Sequence, residues 1–96
     1  MVHIEGTQIL DPRSSVVASV HDGGLVLFDT GSGRLFAANR TGAKIWECIQ
    51  RRLPVAAIAT ELSRDYHVPH ETALTHTGEF LAELLKRELV TAGADR

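Results

Sequence analysis

Five histidines in 96 residues make a metal site the first chemistry to weigh. His67, His70 and His76 lie close together, but Pro69 separates His67 from the helical pattern that follows it. His70 and His76 are six positions apart, which puts them on different faces of a helix. The sequence contains no HExxH and no pair of cysteines. The histidines therefore read as solvated side chains, and neither a metal nor any other cofactor is expected.

Nucleophiles fare no better. Cys48 stands between Trp46 and Ile49 on an apolar stripe, the setting of a small buried hydrophobe rather than a reactive thiol. Ser14, Ser15, Ser19, Ser32 and Ser63 lack the GxSxG context of a strained elbow. The glycines at 23–24, 31 and 33 sit where hairpin turns are needed, and none leads from a strand directly into a helix as a phosphate cradle does. No set of residues assembles a reaction, so the chain is expected not to be an enzyme.

The elements that carry these residues divide near Asn39. Before it, Ser15 to Val20, Leu25 to Asp29 and Arg34 to Ala38 read as strands, separated by the turn clusters His21-Asp22-Gly23-Gly24 and Thr30-Gly31-Ser32-Gly33. They form an antiparallel meander with the first and third strands at its edges. After Asn39 the period becomes helical. Ala43, Trp46, Ile49 and Leu53 mark one helix over about 41–53, capped by Asn39 or Thr41. Val55, Ile58, Ala59, Leu62 and Tyr66 mark a second. Pro69 opens a third, with Ala73, Leu74, Thr77, Phe80, Leu81, Leu84 and Leu85 as its stripe. Leu89 and Val90 fold back onto the core, and 91–96 read as frayed. The expected fold class is α+β and winged-helix-like: a three-stranded antiparallel sheet followed by three helices, with the second and third arranged like a helix-turn-helix.

Composition bounds the function. The chain has the length of one domain, and a domain this size buries about two-thirds of its unfolded surface. Ten basic against twelve acidic residues give a net charge of −2, so no global field draws in nucleic acid or anionic lipid. No apolar run approaches the roughly 20 residues of a membrane span, and the N-terminus lacks the basic and apolar regions of a signal peptide. With a single cysteine there is no internal disulfide, and a soluble cytoplasmic protein is expected.

Two binding roles compete for such a fold. A winged helix commonly reads a DNA groove, but from Pro69 to Leu85 the charged residues are Glu71, Glu79 and Glu83, which would meet phosphates with carboxylates. Arg40, Lys44, Arg51 and Arg52 form only a modest basic cluster. The other route is the edge at 34–38, whose only charge is Arg34 and which has no proline to block pairing. An extended peptide can add there as a further strand. Self-association through that edge, or its cover by the N-terminal segment, are the competing outcomes.

The ordered set Leu27-Phe28-Asp29-Thr30, Gly33-Arg34, Phe36, Asn39, Thr41-Gly42-Ala43 and Ile45-Trp46 resembles the first half of the PqqD-like family of peptide chaperones, the precursor-peptide recognition elements. Val55, Ile58-Ala59, Leu62, Tyr66, Val68, Phe80-Leu81, Leu84 and Leu89-Val90 extend the resemblance, which covers about 15–90 of a single domain spanning 1–96. It implies that the leader of a ribosomally made precursor docks as an added strand on the 34–38 strand, in a groove against the third helix. The implied peptide-binding residues are Gly33, Arg34, Leu35, Phe36, Ala37 and Ala38 for the backbone ladder, with Ala73, His76, Thr77, Phe80, Glu83 and Leu84 along the helix. The Phe36 and Leu81 side chains read as core, and Asn39, Thr41, Gly42 and Trp46 as shaping the strand-to-helix junction. Relatives often carry glycine before the final apolar pair; Glu88 stands there instead, so a slightly longer third helix is expected. The first half lacks features of the quinone-cofactor member itself. The resemblance is to stand-alone leader-binding proteins of lasso-peptide pathways, whose implied partners are a leader-cleaving cysteine protease or another modifying enzyme, with neither nucleic acid nor membrane.

Overall fold

The computed structural model describes residues 5–92. In chain order the elements are β1 (Leu10–Pro12), β2 (Val16–His21), β3 (Gly24–Asp29), β4 (Arg34–Ala38), α1 (Arg40–Gln50), α2 (Val55–Tyr66), α3 (His70–Lys86) and β5 (Val90–Ala92). β2, β3 and β4 form the expected antiparallel meander with β3 central. β1 and β5 pair separately as a small second sheet that periodicity did not announce.

Turn chemistry sets the register of the meander. Asp22 and Gly23 both hold positive φ, at 53° and 82°, as a two-residue hairpin turn matched to strand twist requires. At the other turn the Asp29 carboxylate accepts from Ser15 Oγ at 2.7 Å, Ser32 Oγ at 2.8 Å and the Gly31 amide at 3.2 Å. These bonds, that from Ser15 foremost, hold its pKa below the usual carboxylate value. Leu25 and Leu27 then point into the core, while Val17, Phe28 and Leu35 form an exposed cross-strand row on the opposite face.

The three helices pack over the inner face of the sheet. Leu25 and Leu27 meet Ile45, Trp46 and Ile49 of α1, Ile58, Ala59 and Leu62 of α2, and Ala73, Leu81 and Leu84 of α3 in one buried cluster. Leu10, Leu89 and Val90 close it, so Leu89 and Val90 fold back as expected. Thr91 and Ala92 are paired to Asp11 and Leu10 rather than frayed; 93–96 lie outside the described residues. The segment before β1 is committed to α2, whose first amides lack a side-chain cap. Gln8 and Gly6 carbonyls accept from Val55 and Ala56 at 3.0 and 2.9 Å.

Each helix stops the same way, without glycine. Arg52, His67 and Glu88 hold left-handed φ of 61°, 56° and 60°. The next residue, in turn Leu53, Val68 and Leu89, donates its amide to a carbonyl five positions back at 3.2, 3.3 and 2.9 Å. This explains two departures from expectation. Leu53 belongs to the apolar stripe but lies beyond the helix, which ends at Gln50. Glu88 does not lengthen α3; the helix ends at Lys86 and Glu88 takes the conformation glycine would hold.

Candidate functional site

β4 is the edge that decides the site. The two-residue hairpin closes on the His21–Gly24 pair, and the Thr30 amide donates to the Ser15 carbonyl at 2.8 Å, in phase with it. Alternation along antiparallel strands then directs Gly24, Val26 and Phe28 toward β2, and Leu25, Leu27 and Asp29 toward Ala38, Phe36 and Arg34. The backbone groups of Leu35 and Ala37 are left facing outward. Among the described residues no strand covers them, since β1 pairs with β5 on another part of the molecule.

Beside this edge runs α3. Phe36 and Phe80, both half-buried, bring their rings to 6.0 Å between centroids, tilted by 49°. The Arg87 guanidinium lies 5.0 Å from the Phe36 ring centre, and its Nε donates to Glu83 Oε2 at 2.6 Å. Two clefts flank this floor. The larger, about 460 Å³, is lined by Asn39, Thr41, Gly42, Ile45, His76, Glu79, Phe80 and Glu83. The smaller, about 210 Å³, is lined by Asp29, Ser32, Arg34, Leu35, Phe36, Arg87 and Leu89. β4 spans the distance between them, from Arg34 in one to the residue before Asn39 in the other.

The strand-to-helix junction shapes the larger cleft. Asn39, not Thr41, caps α1: its side-chain oxygen accepts from the Gly42 amide at 3.1 Å. A Cβ on Gly42 would stand 2.7 Å from the Ala38 Cβ and 2.9 Å from Phe80 Cε1. Only glycine lets α1 start this close to β4 and the Phe80 ring. Trp46 is buried in the core, and its indole N–H has no hydrogen-bond partner among the described residues.

The residues named from sequence separate into two sets. Gly33, Arg34, Leu35 and Ala37 are exposed along the edge, with Phe36 and Ala38 half-buried beneath it. His76, Phe80 and Glu83 line the larger cleft. Ala73, Thr77 and Leu84 instead lie in the core at 1%, 0% and 0% exposure, so they hold α3 in place without reaching the groove. Glu79 and Arg87 were missed. Stepping three or four positions from His76 reaches Glu79, Phe80, Glu83 and Arg87, a second stripe beside the apolar one, and that spacing was the available signal.

Cys48 Sγ is buried, 3.4 Å from Arg51 Nη2 and 3.8 Å from Glu61 Oε1. Burial first, then the Glu61 charge, pushes its pKa up, which keeps it a thiol. Among the described residues no three His, Cys, Asp or Glu side chains come together as a metal site, and no helix is long and apolar enough to cross a membrane.

Among curated proteins, none matches the chain by sequence. Among solved structures, TbiB1 in complex with the TbiA(beta) leader peptide superposes with a TM-score of 0.81 at 25% identity, covering 88% of this chain and 99% of that one. Lasso peptide synthetase B1 complexed with the leader peptide superposes at 0.78 and 23% identity, covering 84% and 95%, which establishes a shared fold. Residues 24–90 match the family described as coenzyme PQQ synthesis protein D, and the chain belongs to this PqqD family.

Proposed function

We propose that this protein is a non-catalytic recognition domain that binds the leader of a ribosomally made precursor peptide as a fourth strand on β4. The observation that carries the reading is the open backbone edge at Leu35 and Ala37 beside a floor of Phe36 and Phe80. Strand addition supplies main-chain hydrogen bonds on the edge, and the clefts at either end accept side chains. The leader complexes of the two structural neighbours support the same reading and favour lasso-peptide biosynthesis as its setting.

The mechanism is tethering. Ordering a disordered leader costs about 2–5 kcal/mol, which the ladder and the apolar anchors must exceed. The bound leader then raises the effective concentration of its cleavage or modification site at a separate enzyme that docks on the complex. A leader-cleaving cysteine protease fits this role, in the cytoplasm where the precursor is made. No residue of this chain takes part in the bond-breaking step.

Fluorescence polarisation with a labelled leader peptide encoded beside this protein's gene tests the reading. Saturable binding at micromolar affinity or tighter is expected, and Phe80→Asp should weaken it at least tenfold while the fold is retained. No binding by folded protein, or retention on duplex DNA with a steep salt dependence, would overturn it.

A further inference from the structure

The groove is electrically polar along its length. At the β4 N-terminal end stand Arg34 and Arg87; at the other, one and two turns back along α3, stand Glu83 and Glu79. Arg87 and Glu83 pair across the middle in the same sense, positive toward Arg34 and negative toward Glu79. Arg34 and Glu79 have no ionic partner among the described residues. Among the residues that line the two clefts the one opposing charge, Asp29, is tied up by Ser15, Ser32 and the Gly31 amide. The outermost charges are thus unspent, positive at one end and negative at the other.

We propose that the segment this groove selects carries an acidic side chain over the Arg34–Arg87 end, an apolar one over Phe36 and Phe80, and a basic one over the Glu79–Glu83 end. The inference rests on the leader-binding reading and adds a specificity to it. From Arg34 to Ala38 the strand rises about 13 Å, four steps of roughly 3.3 Å. Side chains on one face of an added strand recur every second residue, so three of them span that distance at alternate positions. Antiparallel pairing is the more stable per residue and continues the pattern of the sheet. Read from its N-terminus, the selected segment is therefore basic, any, apolar, any, acidic. Reversing the charges places like against like at both ends, and exposed pairs of this kind together discriminate by about tenfold.

The test is an mRNA-displayed library of random 12-residue peptides selected on the immobilised full chain. Wild type and an Arg34→Glu, Glu79→Lys double variant are run in parallel, each verified as folded by circular dichroism. Wild type should enrich the basic–apolar–acidic order about tenfold over its reverse, and the double variant should lose or invert that preference. Enriched peptides without charge order, or the same order on both proteins, would overturn the specificity while leaving peptide binding standing. No enrichment over bare matrix would overturn the leader-binding reading and this inference with it.

Discussion

The clearest division at the residue scale runs through α3, where neighbouring positions belong to the groove and to the core. Thr77 is fully buried, and its hydroxyl has no hydrogen-bond partner among the described residues. A buried unsatisfied hydroxyl costs about 1–3 kcal/mol, and valine fills nearly the same shape. Thr77→Val should therefore raise stability by roughly 1 kcal/mol in urea titration and leave leader affinity unchanged. A loss of affinity in that variant would return Thr77 to the groove, where family resemblance alone had placed it. β4 offers a sharper contrast between adjacent positions. The Leu35 amide faces outward, so Leu35→Pro removes a donor that only an added strand would use. Phe36→Pro removes a bond to β3 and disturbs a ring packed against the core. The first variant should stay folded and lose leader binding, whereas the second should unfold; equal thermal melts for the two would refute the assigned strand phase.

At the scale of elements, the helices were legible and their ends were not. The stripe from Val55 to Tyr66 marked α2 and the apolar run from Arg34 to Ala38 placed β4, because a helix stripe and a short apolar strand between turn clusters are local patterns. The stops depend on left-handed residues that carry no local signature when they are Arg52, His67 and Glu88. A non-glycine residue there costs roughly 1–2 kcal/mol of backbone strain. Glu88 makes no side-chain bond among the described residues, so Glu88→Gly should stabilise the fold by up to about 1 kcal/mol, some 4–8 °C in melting temperature. No rise would mean that the cap is not strained. Between α1 and α2, Glu61 bridges Arg51 at 2.7 Å and Lys44 at 3.2 Å. Its hydrogen bond with Arg51, followed by that with Lys44, lowers its pKa from 4.5 to about 2 against the cost of burial. A carboxyl lowered on folding contributes stability that is complete above pH 4.5 and lost as pH falls from there toward 2. Glu61→Gln should be less stable at neutral pH and lose less on acidification across that window. Asp29 and Asp65, also lowered, should keep the remaining slope from vanishing.

For the whole molecule, the order from β2 to α3 and the class of fold followed from the change of period at Asn39, while β1, β5 and their pairing did not. That ladder joins residues some eighty positions apart with only three pairs, too few for periodicity to mark. The same limit applied to the groove, which exists only once α3 lies against β4 and its second stripe has something to face. A domain built this way should report leader binding through its own stability and hydrogen exchange. Leader at one hundred times its dissociation constant stabilises the folded state by about 2.7 kcal/mol, provided it does not bind the unfolded chain. Melting temperature should then rise by about 10 °C or more, a shift set by peptide concentration. Amide exchange locates the cause. In the free protein the outward amides of Leu35 and Ala37 should exchange quickly and that of Phe36 slowly, since Phe36 alone of the three spends its amide on β3. On adding leader, Leu35 and Ala37 should become protected while Phe36 changes little. Protection of the same two amides without peptide, growing with protein concentration, would instead mark β4 as a self-pairing edge. Stabilisation by leader with both amides still exchanging freely would place the peptide on some other surface.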